Sequence, residues 1–169
     1  MGNKQGGQNM SKLKKILSSE SCGKCRVCCG FTKDDVWEIP LIYAENRGAV
    51  EEKLGVRLIP RGDEFVFDME FGGDVSYCPA LSENGCMLGE LKPFDCAVWP
   101  FRVNLLGDMH VITVSPVCET VFSLPLKTLS DFVNGDGFAD ALFAEARKHP
   151  DIVKPYIDRY PILAVEKDK

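Results

Sequence analysis

The spacing of hydrophobic and polar positions changes along this chain, and the changes divide it. Between residues 11 and 19, Leu13, Ile16 and Leu17 share one helical face with Ser11 placed as a cap, which predicts a short helix. A Gly-containing loop with four cysteines is expected next. Thr32 ahead of Asp34 and Asp35 reads as a helix start, because acids suit the positive end of a helix. Pro40 then either kinks that helix or begins a new one. Residues 48–54 are expected to be helical and to stop at Gly55.

Alternation by two then takes over. VRLIP and EFVFDM are strand-like runs joined by Arg61-Gly62-Asp63, a known adhesion tripeptide that is expected here to be only a turn. FRVNLL and MHVITV flank Gly107-Asp108, a two-residue turn of the kind hairpins favour. Helical spacing returns at 125–133 and 137–149. In the second of these Phe138, Ala141, Leu142 and Ala146 form the apolar face, and Arg147 and Lys148 precede the stop at His149-Pro150. A short helix over 151–158 and a late strand, PILAV, complete the pattern. The expected fold class is α+β: a small single domain with two β-hairpins and flanking helices, organised around a cysteine-rich metal site. Residues 1–10 are expected to be a disordered basic N-terminus. Residues 11–169 form the domain, with a motif-bearing part over about 20–120 and a helical part over about 121–169.

Composition narrows the class. At 169 residues the chain can bury a core without disulfide staples, and 45% apolar with 27% charged residues is ordinary for a globular protein. No run approaches the ~18 consecutive apolar residues of a membrane span. The N-terminus lacks a signal-peptide apolar core, and Gly6 stands where a myristoylation motif at Gly2 wants Ser or Thr. The expectation is a cytoplasmic protein with no membrane partner, a setting that disfavours disulfides.

Charge is uneven. Residues 1–33 carry seven basic side chains against one acid, Glu20, while the whole chain is −5. A solvated arm, with Lys24 and Arg26 offsetting nearby thiolates, is the plainer reading. Nucleic acid is not an expected partner, because the rest of the chain is strongly acidic.

The stretch SCGKCRVCCG holds half of the eight cysteines. Disulfides, a buried apolar loop and thiolate ligation are the alternatives. Cys22, Cys25 and Cys28 follow one another at i, i+3, a spacing that lets a tight turn aim sulfurs at one ion, and Cys29 comes directly after. Adjacent side chains diverge, so Cys28 and Cys29 are not expected to serve one ion equivalently. Downstream, Cys78 precedes Pro79 and Cys86 follows Gly85, both at turns, and Pro93 suits the first turn of a helix carrying Cys96. Cys118 is as well read as a small buried hydrophobe as a ligand. With only His110 in a strand and His149 at a helix end, any site is thiolate-rich, which points to zinc or an iron–sulfur cluster of the 4Fe–4S type.

C-x2-C-x2-C-C, then C-P-x-L, then G-C, then K-P-x-x-C-x-x-x-P-F resembles the YkgJ-like cysteine-cluster family, a zinc- or iron-chelating domain family that includes flagellin lysine-N-methylases. The resemblance covers about residues 20–120. It implies that Cys22, Cys25, Cys28, Cys29, Cys78, Cys86 and Cys96 are the cluster cysteines, with Cys118 a further candidate. Lys92-Pro93 stands where the family has Arg-Pro, and Ala97 where it has Arg after the late cysteine.

No glycine-rich strand-to-helix motif for a nucleotide or S-adenosylmethionine is present: GGDVS and GDGFAD lack the flanking strand. Asp34-Asp35 and Glu51-Glu52 read as solvated pairs. Asp95, Trp99 and Arg102 surround Cys96 in sequence, with Trp99 and Phe101 expected in the core and Arg102 as an ion-pair or substrate contact. Three functions remain open. They are a metal-cluster protein, a cluster-dependent enzyme of methyl transfer or redox chemistry, and a zinc-stabilised module that binds a protein partner.

Overall fold

The computed structural model describes residues 12–167, so Ser11 as a cap and the arm over residues 1–10 lie outside the described residues. The fold is α+β, with several hairpins and helices, and the chain divides into two compact units, residues 1–97 and 98–169.

The first unit opens with a single helical turn. The Leu17 amide bonds the Leu13 carbonyl at 2.9 Å, and both leucines are buried. Ser18 then restarts the helix: its side chain accepts the Ser21 N–H at 3.0 Å, and helix α1 runs Ser19–Cys25. Cys22 and Cys25 therefore stand on a helix, not in the expected loop. Arg26, in the left-handed region at φ 58°, ends α1 and turns the chain into a 3-10 turn, Val27–Cys29. Strand β1 (Gly30–Phe31) follows.

Asp34 and Asp35 do start a helical segment, but it is a 3-10 turn over Lys33–Glu38 in which the Thr32 hydroxyl donates to the Asp35 carboxylate at 2.7 Å. No helix begins at Pro40. The residue before a proline is pushed out of the helical region, and Ile39 is extended accordingly, at ψ 124°. The chain then pairs Ile42 with Phe65 through two backbone hydrogen bonds of 2.7 and 3.0 Å.

Helix α2 (Arg47–Leu54) stops at Gly55, whose φ of 66° a side chain would resist. Glu51 on α2 accepts the Leu58 N–H at 2.9 Å and faces Arg47 at 3.3 Å. The Leu58 bond, followed by the Arg47 interactions, holds its carboxyl below the usual Glu range, and partial desolvation opposes them. Depressed in the folded state, this group contributes stability fully above its unfolded pKa and loses it as pH falls through the folded value. Glu51→Gln is therefore expected to lower the urea midpoint at neutral pH, with the difference from wild type vanishing in acid. A deficit that persists unchanged at low pH would show that packing, not charge, is responsible.

Strands β2 (Leu58–Arg61) and β3 (Glu64–Phe67) pair antiparallel with Arg61 opposite Glu64, leaving Gly62-Asp63 as the loop. The Arg61 guanidinium donates to the Val36 carbonyl at 2.8 Å and the Ile39 carbonyl at 3.4 Å, so it staples the preceding turn instead of presenting an adhesion motif. The rest of the unit is β4 (Ser76–Tyr77), a further hairpin β5 (Leu81–Ser82) and β6 (Gly85–Cys86), and helix α3 (Phe94–Val98), which begins directly after Pro93.

In the second unit, β7 (Phe101–Leu106) and β8 (Met109–Val114) form the expected hairpin around Gly107. A short helix α4 (Glu119–Phe122) leads to α5 (Leu126–Asn134) and α6 (Phe138–Lys148). Phe101, Phe132 and Phe138 make an aromatic cluster with ring centroids 5.0 to 5.6 Å apart. The helix expected over 151–158 is reduced to a 3-10 turn, Pro150–Ile152. Next, β9 (Lys154–Pro155) lies parallel to β7, and β10 (Ile162–Val165) pairs with β8. Buried Asn104 fixes β9: its amide donates to the Pro155 carbonyl at 3.0 Å, while its oxygen accepts the Thr113 hydroxyl at 2.6 Å. Glu166 bridges His110, at 2.7 Å, and Arg147, which gives His110 a structural role. No helix among the described residues is long and apolar enough to cross a membrane.

Candidate metal centre

Seven of the eight cysteines belong to the first unit. Backbone pairing brings the two cysteine blocks together: the Cys78 N–H donates to the Cys29 carbonyl at 2.7 Å, and the ladder continues with Gly30 opposite Tyr77 and Phe31 opposite Ser76. Blocks almost fifty residues apart in sequence thus meet at one strand pair. On the other side of the first block, α1 lies against the β5–β6 hairpin. A side-chain carbon on Gly23 would come 3.5 Å from the Asn84 carbonyl and 3.6 Å from the Gly85 Cα, an ordinary packing contact between α1 and this hairpin.

The thiol of Cys28 is hydrogen-bonded to those of both Cys22 and Cys29. This differs from the sequence expectation in two ways. The hydrogen-bonded trio is Cys22, Cys28 and Cys29, not the i, i+3 series, and Cys29 does not diverge from the group. A 3-10 turn through Val27–Cys29 lets both adjacent thiols face one neighbourhood. Cys25 is exposed at the end of α1.

Electrostatics ties in the downstream cysteines. The hydrogen bond from Cys28 brings Cys22 down to about 6, against burial and with help from the Lys92 charge. The same donor brings Cys29 to about 7, again with burial opposing and Lys92 assisting. Cys28 moves the other way, far above the usual thiol range, because it keeps the proton that both neighbours share. Cys78 is pushed up to about 12, first by burial and then by the charges of Cys29 and Cys86, while the Ala80 N–H opposes the rise. Cys96 on α3 also rises well above the usual value; it keeps some exposed surface, but dense surroundings make desolvation the first cause. Lys92 opposes that rise, whereas Asp95, Cys78 and Cys29 add to it.

Lys92 is the residue that sequence reasoning missed. Its ammonium offsets charge at Cys22, Cys29 and Cys96. Lys24 and Arg26, expected in that role, are otherwise engaged: Lys24 pairs with Glu20 at 2.7 Å, and Arg26 donates to the Glu83 carbonyl at 3.3 Å. The signal available was the Lys92-Pro93 step that opens α3. The other neighbours of Cys96 are structural in part. Asp95 accepts the Leu41 N–H at 3.3 Å, Phe101 is fully buried, and Arg102 covers the part-exposed Trp99 ring at 4.6 Å.

Cys118 lies in the second unit, buried just ahead of α4, and Cys86 is exposed on β6. As the side chains stand, no three His, Cys, Asp or Glu groups among the described residues are arranged to hold a metal ion. The thiols are close enough to share protons but do not surround a common point. Comparison with known proteins gives no family model, no curated protein and no solved structure that matches the chain.

Proposed function

We propose that this protein binds a metal through its thiolates, as zinc or an iron–sulfur cluster, with ligands drawn from Cys22, Cys28, Cys29, Cys78 and Cys96. The observation that carries this reading is the convergence of thiols from α1, the Val27–Cys29 turn, the end of β4 and α3 on one neighbourhood with a single lysine. Shared protons hold Cys28 in its thiol form and burial holds Cys78 and Cys96 in theirs, with neighbouring thiolate charge adding to each. As a set of anions these sulfurs are therefore strained, and a cation would relieve them. Ligation would remove the shared protons and turn the sulfurs onto the ion.

The donors suit such a group in chemical kind, and ligation would have to draw them together. The set is all sulfur, which suits tetrahedral zinc or iron–sulfur chemistry, and its net negative charge is partly offset by Lys92. The ordered cysteine motifs resembling the YkgJ-like family support the same reading. Bound metal would supply a cross-link between segments from residue 22 to residue 96. Metal binding is the function that these residues support.

The test is metal analysis with a visible spectrum on protein purified without oxygen. Zinc in a colourless sample, or iron with visible charge-transfer absorption, is the expected result. Protein that purifies metal-free and takes up neither zinc nor iron on reconstitution would refute it.

A further inference from the structure

The trio of linked thiols lies on a surface segment. Cys22, Cys28 and Cys29 are each part-exposed, Cys25 is exposed, and Val27 between them is 56% exposed. A small oxidant from solvent therefore has access to this segment. Within the trio Cys28 is hydrogen-bonded to both partners, so two disulfides are open to it.

Geometry selects between them. Consecutive Cα atoms are about 3.8 Å apart across a trans peptide. That is shorter than the roughly 4.4–6.8 Å that an unstrained disulfide spans, so a Cys28–Cys29 bridge is disfavoured. Cys22 lies on α1 and Cys28 beyond the left-handed turn at Arg26, so the chain between them doubles back and their thiols meet without that restriction. We propose that Cys22 and Cys28 are a hydroperoxide-oxidised dithiol, whose disulfide removes two ligands from the centre and releases its metal. The release half rests on the metal-binding reading; the disulfide half does not.

The chemistry balances. The Cys22 sulfur attacks a peroxide oxygen, the O–O bond breaks, and hydroxide leaves as water on taking up a proton, giving a sulfenic acid. The Cys28 sulfur then attacks the Cys22 sulfur. An S–S bond forms, the S–O bond breaks, and the second hydroxide leaves as water with the Cys28 proton. Two thiols lose two electrons and hydrogen peroxide becomes two waters.

The sequence makes the test direct. Trypsin cuts after Lys15, Lys24, Arg26 and Lys33, so Cys22 falls in peptide 16–24 and Cys28 with Cys29 in peptide 27–33. Full-length protein is treated with one equivalent of hydrogen peroxide, blocked with N-ethylmaleimide, digested and mapped by tandem mass spectrometry. Released metal is followed with a chromophoric chelator. The expected result is peptide 16–24 joined to 27–33 through Cys28, reversed by dithiothreitol, with metal lost in proportion. Oxidation confined to peptide 27–33, or to other cysteines while peptide 16–24 stays reduced, overturns the proposal. A Cys22–Cys28 link in protein that retains all its metal overturns the release half. The same link in protein that never held metal supports the disulfide and refutes the metal-binding reading instead.

Discussion

Cys96→Ser is expected to leave the purified protein without its metal and to lower its melting temperature well below that of wild type. Cys96 is presented by α3 from the far end of the first unit, and it shares an electrostatic neighbourhood with Cys78 and Cys29. A tetrahedral thiolate centre tolerates the loss of one sulfur poorly. Binding free energy at such a centre is also folding free energy, on the order of 10–16 kcal/mol for zinc in small structural sites. Serine at position 96 keeps the shape and removes the ligand, so a large loss is attributable to the metal. Cys118→Ser provides the contrast. It places a hydroxyl at a buried position in the second unit, costs about 1–3 kcal/mol and leaves metal content unchanged. Metal analysis and thermal melting of the two variants side by side decide the point. Full metal stoichiometry in Cys96→Ser would show that Cys96 is not a ligand.

The second large effect belongs to the second unit. Phe138 is fully buried, with its ring 5.6 Å from Phe101 and 5.0 Å from Phe132. Phe138→Ala removes the ring on which β7 and α5 both rest, leaving a cavity that neighbours fill only in part. The expected loss is about 3–5 kcal/mol in urea unfolding. Phe138→Leu, which keeps most of the volume, should recover more than half of it. A loss below about 1 kcal/mol for the alanine variant would mean that the core collapses around the gap.

The elements most legible in the sequence carried their own local signal. The hairpin Phe101–Leu106 with Met109–Val114 was set by six-residue alternation on either side of Gly107-Asp108, and the α2 stop was set by Gly55. What the sequence hid depended on partners far along the chain. The segment after Pro150 has a helical look. However, Asn104 offers its amide to the Pro155 and Lys154 carbonyls, and a strand parallel to β7 wins. The hairpin of Leu81–Ser82 with Gly85–Cys86 uses strands of two residues, too short for any alternation to show.

The candidate site divides in the same manner. Cysteine spacing identified the first block, but an i, i+3 series suits a helix as well as a turn, and Ser18 as a cap decides for the helix as far as Cys25. That decision carries the series away from the trio actually linked, Cys22, Cys28 and Cys29. The tie between blocks is a backbone hydrogen bond from Cys78 to Cys29, which no spacing rule encodes. Lys92 was visible only as a basic residue before a proline. Its charge matters because folding sets it beside Cys22, Cys29 and Cys96.

X-ray absorption at the metal edge of the protein as purified tests the central claim most directly, because it reads the donor atoms themselves. A thiolate centre gives a shell dominated by sulfur, at about 2.3 Å for zinc. An iron–sulfur cluster adds iron scatterers beyond that shell. The predicted result is this sulfur shell in wild type and its loss in Cys96→Ser. A first shell of nitrogen and oxygen at about 2.0–2.2 Å would contradict it, because metal so bound would not be held by these cysteines.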